Sequence, residues 1–236
     1  MKKSAILNMG VVLIATTALS GCLGSDSNGG GATAASGGGG GSSGGGTVTF
    51  ANYQSEFDRV SMTIPTSDMP TTLKGNYVGA MQAQVGDASG NIAGSLVADV
   101  NLAIDWTEGA TPNPFSGGAS NFRGTTDGGT TVEAISGSLS VDPNLPSAII
   151  RNSNTLNTVA GQVTVDAGSM TVPLAGDLTL NGQTAEANVL LGGGFFGSGG
   201  TAAAGTAVGG FRAAGTAPLS GIFDGSISGT YYVERQ

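Results

Sequence analysis

The chain has no histidine, and its 236 residues include a single cysteine and a single tryptophan. Without histidine it cannot form a Ser-His-Asp triad, a Cys-His dyad, a histidine zinc site or a histidine-ligated haem. One cysteine alone cannot form a disulfide within the chain. These absences exclude the commonest nucleophilic and metal-dependent chemistries, so we expect no cofactor, no metal site and no enzymatic activity.

Charge is also scarce, since Asp, Glu, Lys and Arg make up 10% of the residues. The formal net charge is −8. Binding to phosphate requires clustered Lys and Arg, whereas the basic residues beyond position 21 are widely scattered. They are Arg59, Lys74, Arg123, Arg151, Arg212 and Arg235. Nucleic acid is therefore not expected as a partner, and anionic lipid surfaces are disfavoured for the same reason.

The acidic residues are dispersed, with neither the spacing of an EF-hand loop nor a repeated Asp-x-Asp motif. A hydrolase could still pair two carboxylates as glycosidases do. The candidate pairs are Asp99 with Asp105 on one predicted strand, and Asp166 with Asp177 on neighbouring ones. The alternative, which we favour, is that these carboxylates are solvated on the outer faces of strands.

The N-terminus has the pattern of a secretory signal, with Lys2 and Lys3 followed by an apolar run from Val11 to Leu19. This run is too short to span a bilayer as a helix. Leu19-Ser20-Gly21-Cys22 resembles the lipobox of bacterial lipoproteins, in which lipid is attached to the cysteine sulfur and the chain is cut just before it. We therefore predict a signal peptide over residues 1–21 and lipidation of Cys22. The alternative is a free, buried thiol after an ordinary export signal.

Several acyl chains on Cys22 would give an effectively permanent membrane anchor, because each buried methylene contributes about 0.8 kcal/mol. Leu23 follows the cysteine, whereas Asp at this position is the usual inner-membrane retention signal of enterobacterial lipoproteins. The membrane is thus an expected partner through the N-terminal lipid. The expected location is the outer membrane, with exposure at the cell surface left open.

Composition divides the rest of the chain into three parts. Residues 22–46 are rich in Gly, Ser and Ala without an apolar pattern, which predicts a disordered tether with a reach of roughly 25–30 Å. Residues 47–72 form a lead-in segment, in which Ala51 to Val60 could make a turn or two of helix before Pro65. Residues 73–236 are predicted to form one β domain.

Apolar and polar residues alternate along this domain with a period of two. In the last segment, for example, Ile227, Tyr231 and Val233 share one face with three glycines. Ser198 to Gly205 is predicted to be a mobile loop. The predicted strands are Leu73 to Met81, Ile92 to Ile104, Phe115 to Arg123, Thr131 to Val141, Thr158 to Val165, Met170 to Leu180, Thr184 to Leu191 and Leu219 to Glu234.

Several of these strands alternate glycine with large apolar residues on one face, which lets a strand bend as a narrow barrel requires. We therefore predict an all-β fold, a single eight-stranded antiparallel up-and-down β-barrel. A membrane-embedded barrel would carry aromatic girdles on an apolar exterior. Aromatic residues make up only 6% of this chain, and it ends Val233-Glu234-Arg235-Gln236 instead of in an aromatic residue. The barrel is thus expected to lie outside the bilayer.

Two glycine-phenylalanine motifs carry a family resemblance. Gly194-Phe195-Phe196-Gly197, followed by Val208-Gly209-Gly210-Phe211, resembles the signature of the barrel domain of transferrin-binding protein B. Pro65 to Pro70 and Gly75 to Gly79 resemble the start of the first barrel strand in single-barrel relatives. The resemblance implies a surface or outer-membrane lipoprotein whose barrel is a small binding module. It does not imply transferrin binding, because the chain has one barrel and no companion domain.

Two aromatic positions are candidate contact sites. Trp106 begins a polar loop between two predicted strands, so it could anchor a partner or cap the barrel core. Phe195 and Phe196 could likewise insert into a partner or pack against the barrel mouth.

Three functions are left open. The first is a non-enzymatic, lipid-anchored barrel that binds an unknown protein or small ligand. The second is a structural envelope lipoprotein that contacts another envelope component. The third is a hydrolase that uses paired carboxylates.

Overall fold

The structure, a computed structural model, describes residues 48–110, 113–126, 131–213 and 223–236. The predicted signal peptide, Cys22 and the tether lie outside these residues, as does Leu219 to Ile222 of the last predicted strand. One helix, α1 (Phe50–Ser61), precedes the sheet, and a short 3-10 turn spans Ser198–Gly200. The strands are β1 (Thr72–Asp87), β2 (Ile92–Thr107), β3 (Phe115–Thr126), β4 (Glu133–Ala134), β5 (Ser136–Gly137), β6 (Leu139–Val141), β7 (Ala148–Thr158), β8 (Gly161–Leu180), β9 (Gln183–Phe196), β10 (Ala202–Ala213) and β11 (Gly225–Arg235).

The antiparallel sheet closes on itself into a barrel-like ring. Its order is β2-β1-β11-β10-β9-β8-β6-β3, and a further pairing of β2 with β3 closes the circle. The short strands β4, β5 and β6 together fill one position between β3 and β8. Chain neighbours are therefore sheet neighbours around the ring, and the predicted all-β, antiparallel, eight-membered arrangement is confirmed.

The interior of the ring is a packed apolar core. The alternation predicted for β2 and β11 is confirmed along most of both strands, since inward residues such as Leu96, Leu102, Ile227 and Tyr231 are almost completely buried. Ile92, at the start of β2, is exposed. Together with inward residues of β1, β8 and β9, the buried inward residues of β2 and β11 form one cluster. Its largest fully buried members include Tyr77, Met81, Leu102, Leu174, Leu191, Phe195 and Tyr231.

Glycine on the inner face permits very close strand approach. A Cβ atom placed on Gly79 of β1 would lie 2.0 Å from the carbonyl oxygen of Tyr232 in β11. The backbone of β11 thus occupies the space that a side chain would need. This contact supports the curvature argument made from the glycine pattern.

Helix α1 is longer than the turn or two considered from the sequence, and it packs on the outer wall of the barrel. Asn52 Oδ1 accepts a hydrogen bond from the Thr49 N–H at 2.7 Å, which satisfies a free donor at the start of the helix. Tyr53 packs against Tyr232, with ring centroids 5.6 Å apart. The helix also bonds the last strand, because Arg59 Nη1 donates to Glu234 Oε1 at 2.9 Å.

Two predictions within the sheet are wrong. Residues 158–165 and 170–180 do not form two strands: β8 runs unbroken through both, and Thr158 belongs to β7. The segment Ser198 to Gly205 is not a loop, because it contains the 3-10 turn and the start of β10. The ring therefore has the predicted eight positions, but different strands occupy them. The single strand β8 replaces two predicted strands, and β10 occupies a position for which no strand was predicted.

The ends of β7 and β8 form a two-stranded hairpin that extends beyond the ring. Among the strands, residues 161–168 of β8 pair only with β7, whereas β9 pairs with β8 from Ser169 onward. Asp166 also forms an isolated bridge with Asp68 of the lead-in. Leu156, Val159 and Val163 are exposed on this hairpin. Among the described residues, no helix is long and apolar enough to cross a membrane.

Candidate functional site

The two ends of the barrel differ, and this difference defines the candidate site. At the first end, the lead-in residues after α1 cross the barrel before β1 begins. The Thr66 N–H donates to the Phe195 carbonyl at 3.0 Å, and its hydroxyl donates to the Gly197 carbonyl at 2.7 Å. Met69 is fully buried against this end of the core. We call this the closed end.

Polar contacts hold the lead-in in place at the closed end. The Asp68 carboxylate accepts hydrogen bonds from the Ser198 hydroxyl at 2.5 Å and the Gly199 N–H at 2.8 Å. These bonds, the Ser198 one first, lower the pKa of Asp68 because they stabilise its charged form. The lead-in is thus tied to the turn that follows β9.

Arg151 fixes the base of the projecting hairpin to the same segment. Its Nε donates to the Met69 carbonyl at 2.8 Å, and its Nη2 lies 2.8 Å from Asp166 Oδ2. Asp166 also accepts a hydrogen bond from the Ser153 hydroxyl. These charges are mostly buried and paired, so the closed end is a structural assembly.

The glycine-phenylalanine motif residues lie in the wall of the barrel, on both of its sides. Phe195 points into the core, where its ring meets Tyr77 edge-on at 6.5 Å, whereas Phe196 packs with the residues beneath α1. Gly194 faces Ala204 across the pairing of β9 with β10. Gly209, Gly210 and Phe211 lie near the far end of β10, and Gly197 follows β9 at the closed end. The two motifs are therefore not brought together at one site.

Trp106 lies at the closed end of β2, beside Leu73 of β1. It is 6% exposed and belongs to the main core cluster. Its position matches the core-capping alternative, and it offers little surface to a partner.

At the opposite end of the barrel the described residues leave a cavity open between the strand ends, and we call this end the open mouth. It contains a cavity of about 750 Å³. Apolar side chains form the inner wall, namely Val85, Leu96, Ile135, Leu178, Ala187, Phe211 and Ile227. The residues come from β1, β2, β8, β9, β10, β11 and the segment between β4 and β5, so the cavity exists only when the ring is closed.

The rim of the open mouth is polar but carries little charge. Ser95, Thr125, Gln183 and Thr184 line it beside the apolar wall. Among the described residues that line the cavity, Asp224 is the only ionisable one. Its Oδ2 accepts a hydrogen bond from the Ala213 N–H at 2.7 Å, which fixes the carboxylate at the rim.

The carboxylate pairs considered from the sequence are not brought together. Asp99 and Asp105 are six residues apart on β2, which corresponds to about 20 Å along a strand. Asp166 and Asp177 lie on the same strand, β8, and not on neighbouring strands as predicted. Within the part of the chain that the structure describes, there is also no group of three or more Cys, Asp or Glu residues placed to hold a metal ion.

The comparisons with known proteins give no family. No family model, curated protein or solved structure matches this chain. The resemblance to transferrin-binding protein B therefore stays a prediction that rests on the residues of the two motifs.

Sequence reasoning missed the open mouth as a site. Leu96 and Ile227 belong to predicted apolar strand faces, whereas Phe211 was assigned only to the glycine-phenylalanine motif and Val85 lies outside the predicted strands. Only their common position at one end of the barrel distinguishes these residues. The one available signal was the scarcity of charge among the inward residues near the strand ends. That signal does not separate a filled barrel end from an open one.

Proposed function

We propose that this protein is a lipid-anchored, non-enzymatic binding module of the bacterial envelope, and that the open mouth is its binding site. The observation that carries the proposal is the asymmetry of the barrel: the lead-in covers one end, whereas at the other end the described residues leave an apolar cavity open. The volume of about 750 Å³ lies in the range of pockets that bind small molecules.

The character of the wall supports a binding role. Small-molecule sites are mostly apolar with a few polar groups that orient the ligand, and the open mouth has this composition. The resemblance to transferrin-binding protein B supports the same class of function. The dispersed carboxylates give little support to the hydrolase.

We expect the open mouth to bind N-phenyl-1-naphthylamine, a neutral fluorophore that brightens in apolar surroundings. The assay uses full-length Cys22→Ala protein, so that no detergent competes for the cavity. Ala185→Phe in the same background should abolish the fluorescence increase, because Ala185 lines the cavity and a phenyl ring would project into the space that the dye occupies. Ala160→Phe, at the exposed tip of the β7–β8 hairpin, should bind as before.

Circular dichroism would first establish that both phenylalanine variants are folded. Equal fluorescence from all three proteins would place the dye elsewhere, and no increase in any of them would contradict the proposed site.

The anchor is tested in cells. We expect the unmodified protein to sediment with membranes, and the Cys22→Ala variant to be soluble, because the acyl chains on Cys22 are the proposed attachment. Protease added to intact cells should remove the barrel domain of the unmodified protein if it faces outward. A Cys22→Ala variant that still sediments with membranes would argue against lipidation.

The same protease experiment separates the second candidate function. The exposed apolar residues of the β7–β8 hairpin, including Leu156 and Val159, favour contact with another envelope component. A structural lipoprotein of this kind should be protected until the outer membrane is opened. Such protection would contradict a receptor at the cell surface.

A further inference from the structure

The charges around the open mouth are unbalanced. Asp224 is the only ionisable side chain among the described residues that line the cavity. Asn181, which also lines it, donates a hydrogen bond to Glu133 Oε2 at 3.1 Å, and this brings a second carboxylate close to the rim. Arg212 lies between two lining residues of β10, but its guanidinium is paired with Glu186. The described rim therefore offers an anion to a ligand and no unpaired cation.

We infer that the ligand is an amphiphile with an apolar chain and a cationic or neutral head group, and that fatty acids and other anionic amphiphiles are rejected. This inference rests on the proposed function, since it names the ligand class for the same cavity. The apolar chain occupies the wall formed by residues such as Leu96, Phe211 and Ile227. The head group lies at the rim beside Asp224.

Charge complementarity determines the choice of head group. A carboxylate or phosphate held at the rim would lose part of its hydration and lie close to Asp224 without a basic partner, which is costly in an apolar surrounding. A quaternary ammonium would instead face a carboxylate that the Ala213 N–H holds in place. A neutral head group can hydrogen-bond to Gln183, which lies on the same face of β9 as Ala185 and Ala187.

The test compares three ligands that share one apolar chain, namely decyltrimethylammonium, decanol and decanoate. Isothermal titration calorimetry at pH 7.5, below micelle-forming concentrations, measures their affinities for full-length Cys22→Ala protein. We expect decyltrimethylammonium to bind at least about tenfold more tightly than decanoate, with decanol in between.

Variants in the same background assign the preference to the rim. Asp224→Asn should remove the advantage of decyltrimethylammonium over decanol and leave decanol binding unchanged. Asp105→Asn is the matched control, because Asp105 is an exposed carboxylate toward the closed end of β2 and pairs with Lys74 at 2.8 Å. It should change none of the three affinities. Ala185→Phe should abolish binding of all three ligands.

The outcomes separate the two proposals. If decanoate binds as tightly as decyltrimethylammonium and Ala185→Phe abolishes both, the cavity is a binding site but the inferred ligand class is wrong. A cation preference that survives Asp224→Asn also overturns the inference, since it shows that the Asp224 carboxylate does not select the head group. If none of the three ligands binds, both the inference and the proposed site fail.

Discussion

Replacing Gly193 with alanine should strongly destabilise the barrel, whereas the same change at the preceding residue, Gly192, should leave its stability nearly unchanged. A Cβ atom on Gly193 would lie 2.1 Å from the carbonyl oxygen of Ala204 and 2.9 Å from the Cα of Gly205. These are backbone atoms of the paired strand β10, so no change of side-chain rotamer can relieve the overlap. On Gly192 the nearest atom would be Thr206 Oγ1, at 3.9 Å.

The expected loss at Gly193 is about 3 kcal/mol or more, because β9 and β10 must separate to admit the methyl group. That is a large part of the 5–15 kcal/mol that typically stabilises a domain. Gly192→Ala should be neutral or raise the free energy of unfolding by about 0.5 kcal/mol, since alanine has less conformational freedom than glycine in the unfolded chain.

Urea denaturation followed by circular dichroism measures both variants in the Cys22→Ala background. Similar unfolding midpoints for Gly192→Ala and Gly193→Ala would show that the strands can shift to accommodate a side chain. The close packing of β9 against β10 would then not be essential to the closed ring.

Raising the pH above 10 should unfold the protein cooperatively. The chain has four tyrosines, and each is buried in the folded state. Burial raises the pKa of Tyr53 and of Tyr232 to about 12. It also raises the pKa of Tyr77 and of Tyr231 above the ordinary value. All four side chains therefore resist ionisation while the barrel stays folded.

The sign of this pH dependence follows from how many protons the tyrosines bind in the folded and unfolded states. In the unfolded chain each tyrosine loses its proton near pH 10, whereas Tyr53 and Tyr232 keep theirs in the folded chain up to about pH 12. Between these values the unfolded state binds fewer protons, so the free energy of unfolding falls as the pH rises. Each such tyrosine lowers it by about 1.4 kcal/mol per pH unit. The tyrosines contribute no pH dependence below pH 10, and no histidine is present to titrate near neutrality.

Circular dichroism and tyrosinate absorbance near 295 nm, recorded along one pH titration, would test this. The two signals should change together above pH 10. Tyr53→Phe removes one of the four ionisable groups. The free energy of unfolding should then fall with pH by about 1.4 kcal/mol per pH unit less, which corresponds to one proton. Tyrosinate that forms smoothly near pH 10, while the circular dichroism is retained, would contradict the burial of these side chains.

The parts of the fold that sequence predicted best are the strands with large inward residues. In β2 and β11 the alternation separates mostly apolar inward positions from mostly polar outward ones, and the structure buries the inward set. Val97 and Tyr232 are outward exceptions, since they are buried beneath α1. This works because one face of each strand meets the core and the other meets solvent or the helix.

The strands that were not predicted from the sequence lack such a contrast between apolar and polar positions. Residues Ala202 to Gly205 begin β10 although alanine and glycine have low strand propensity. They are held by pairing with β9 on one side and β11 on the other, and small residues are suited there because the helix packs outside. Gly168 resembles a turn residue, yet β8 continues through it with Met69 and Phe195 packed close by.

The site was less predictable than the fold. Asp224 and Leu96 are far apart in sequence and share the cavity only because β2 and β11 both flank β1 in the ring. No local sequence pattern indicates which end of the barrel the lead-in will cover. The coverage depends on contacts such as that between Thr66 and Phe195, whose partners are far apart in the chain.

The pairing of β1 with β11 constrains how the protein matures. β1 pairs with β2 on one side and, on the other, with β11, the last of the described strands in chain order. Helix α1 also docks on β11 through Tyr53 and Arg59. Until residues 225–235 have been synthesised, β1 and β10 each keep an unpaired edge. Such edges are prone to aggregation, so a nascent or C-terminally truncated chain depends on protection that the finished barrel no longer needs.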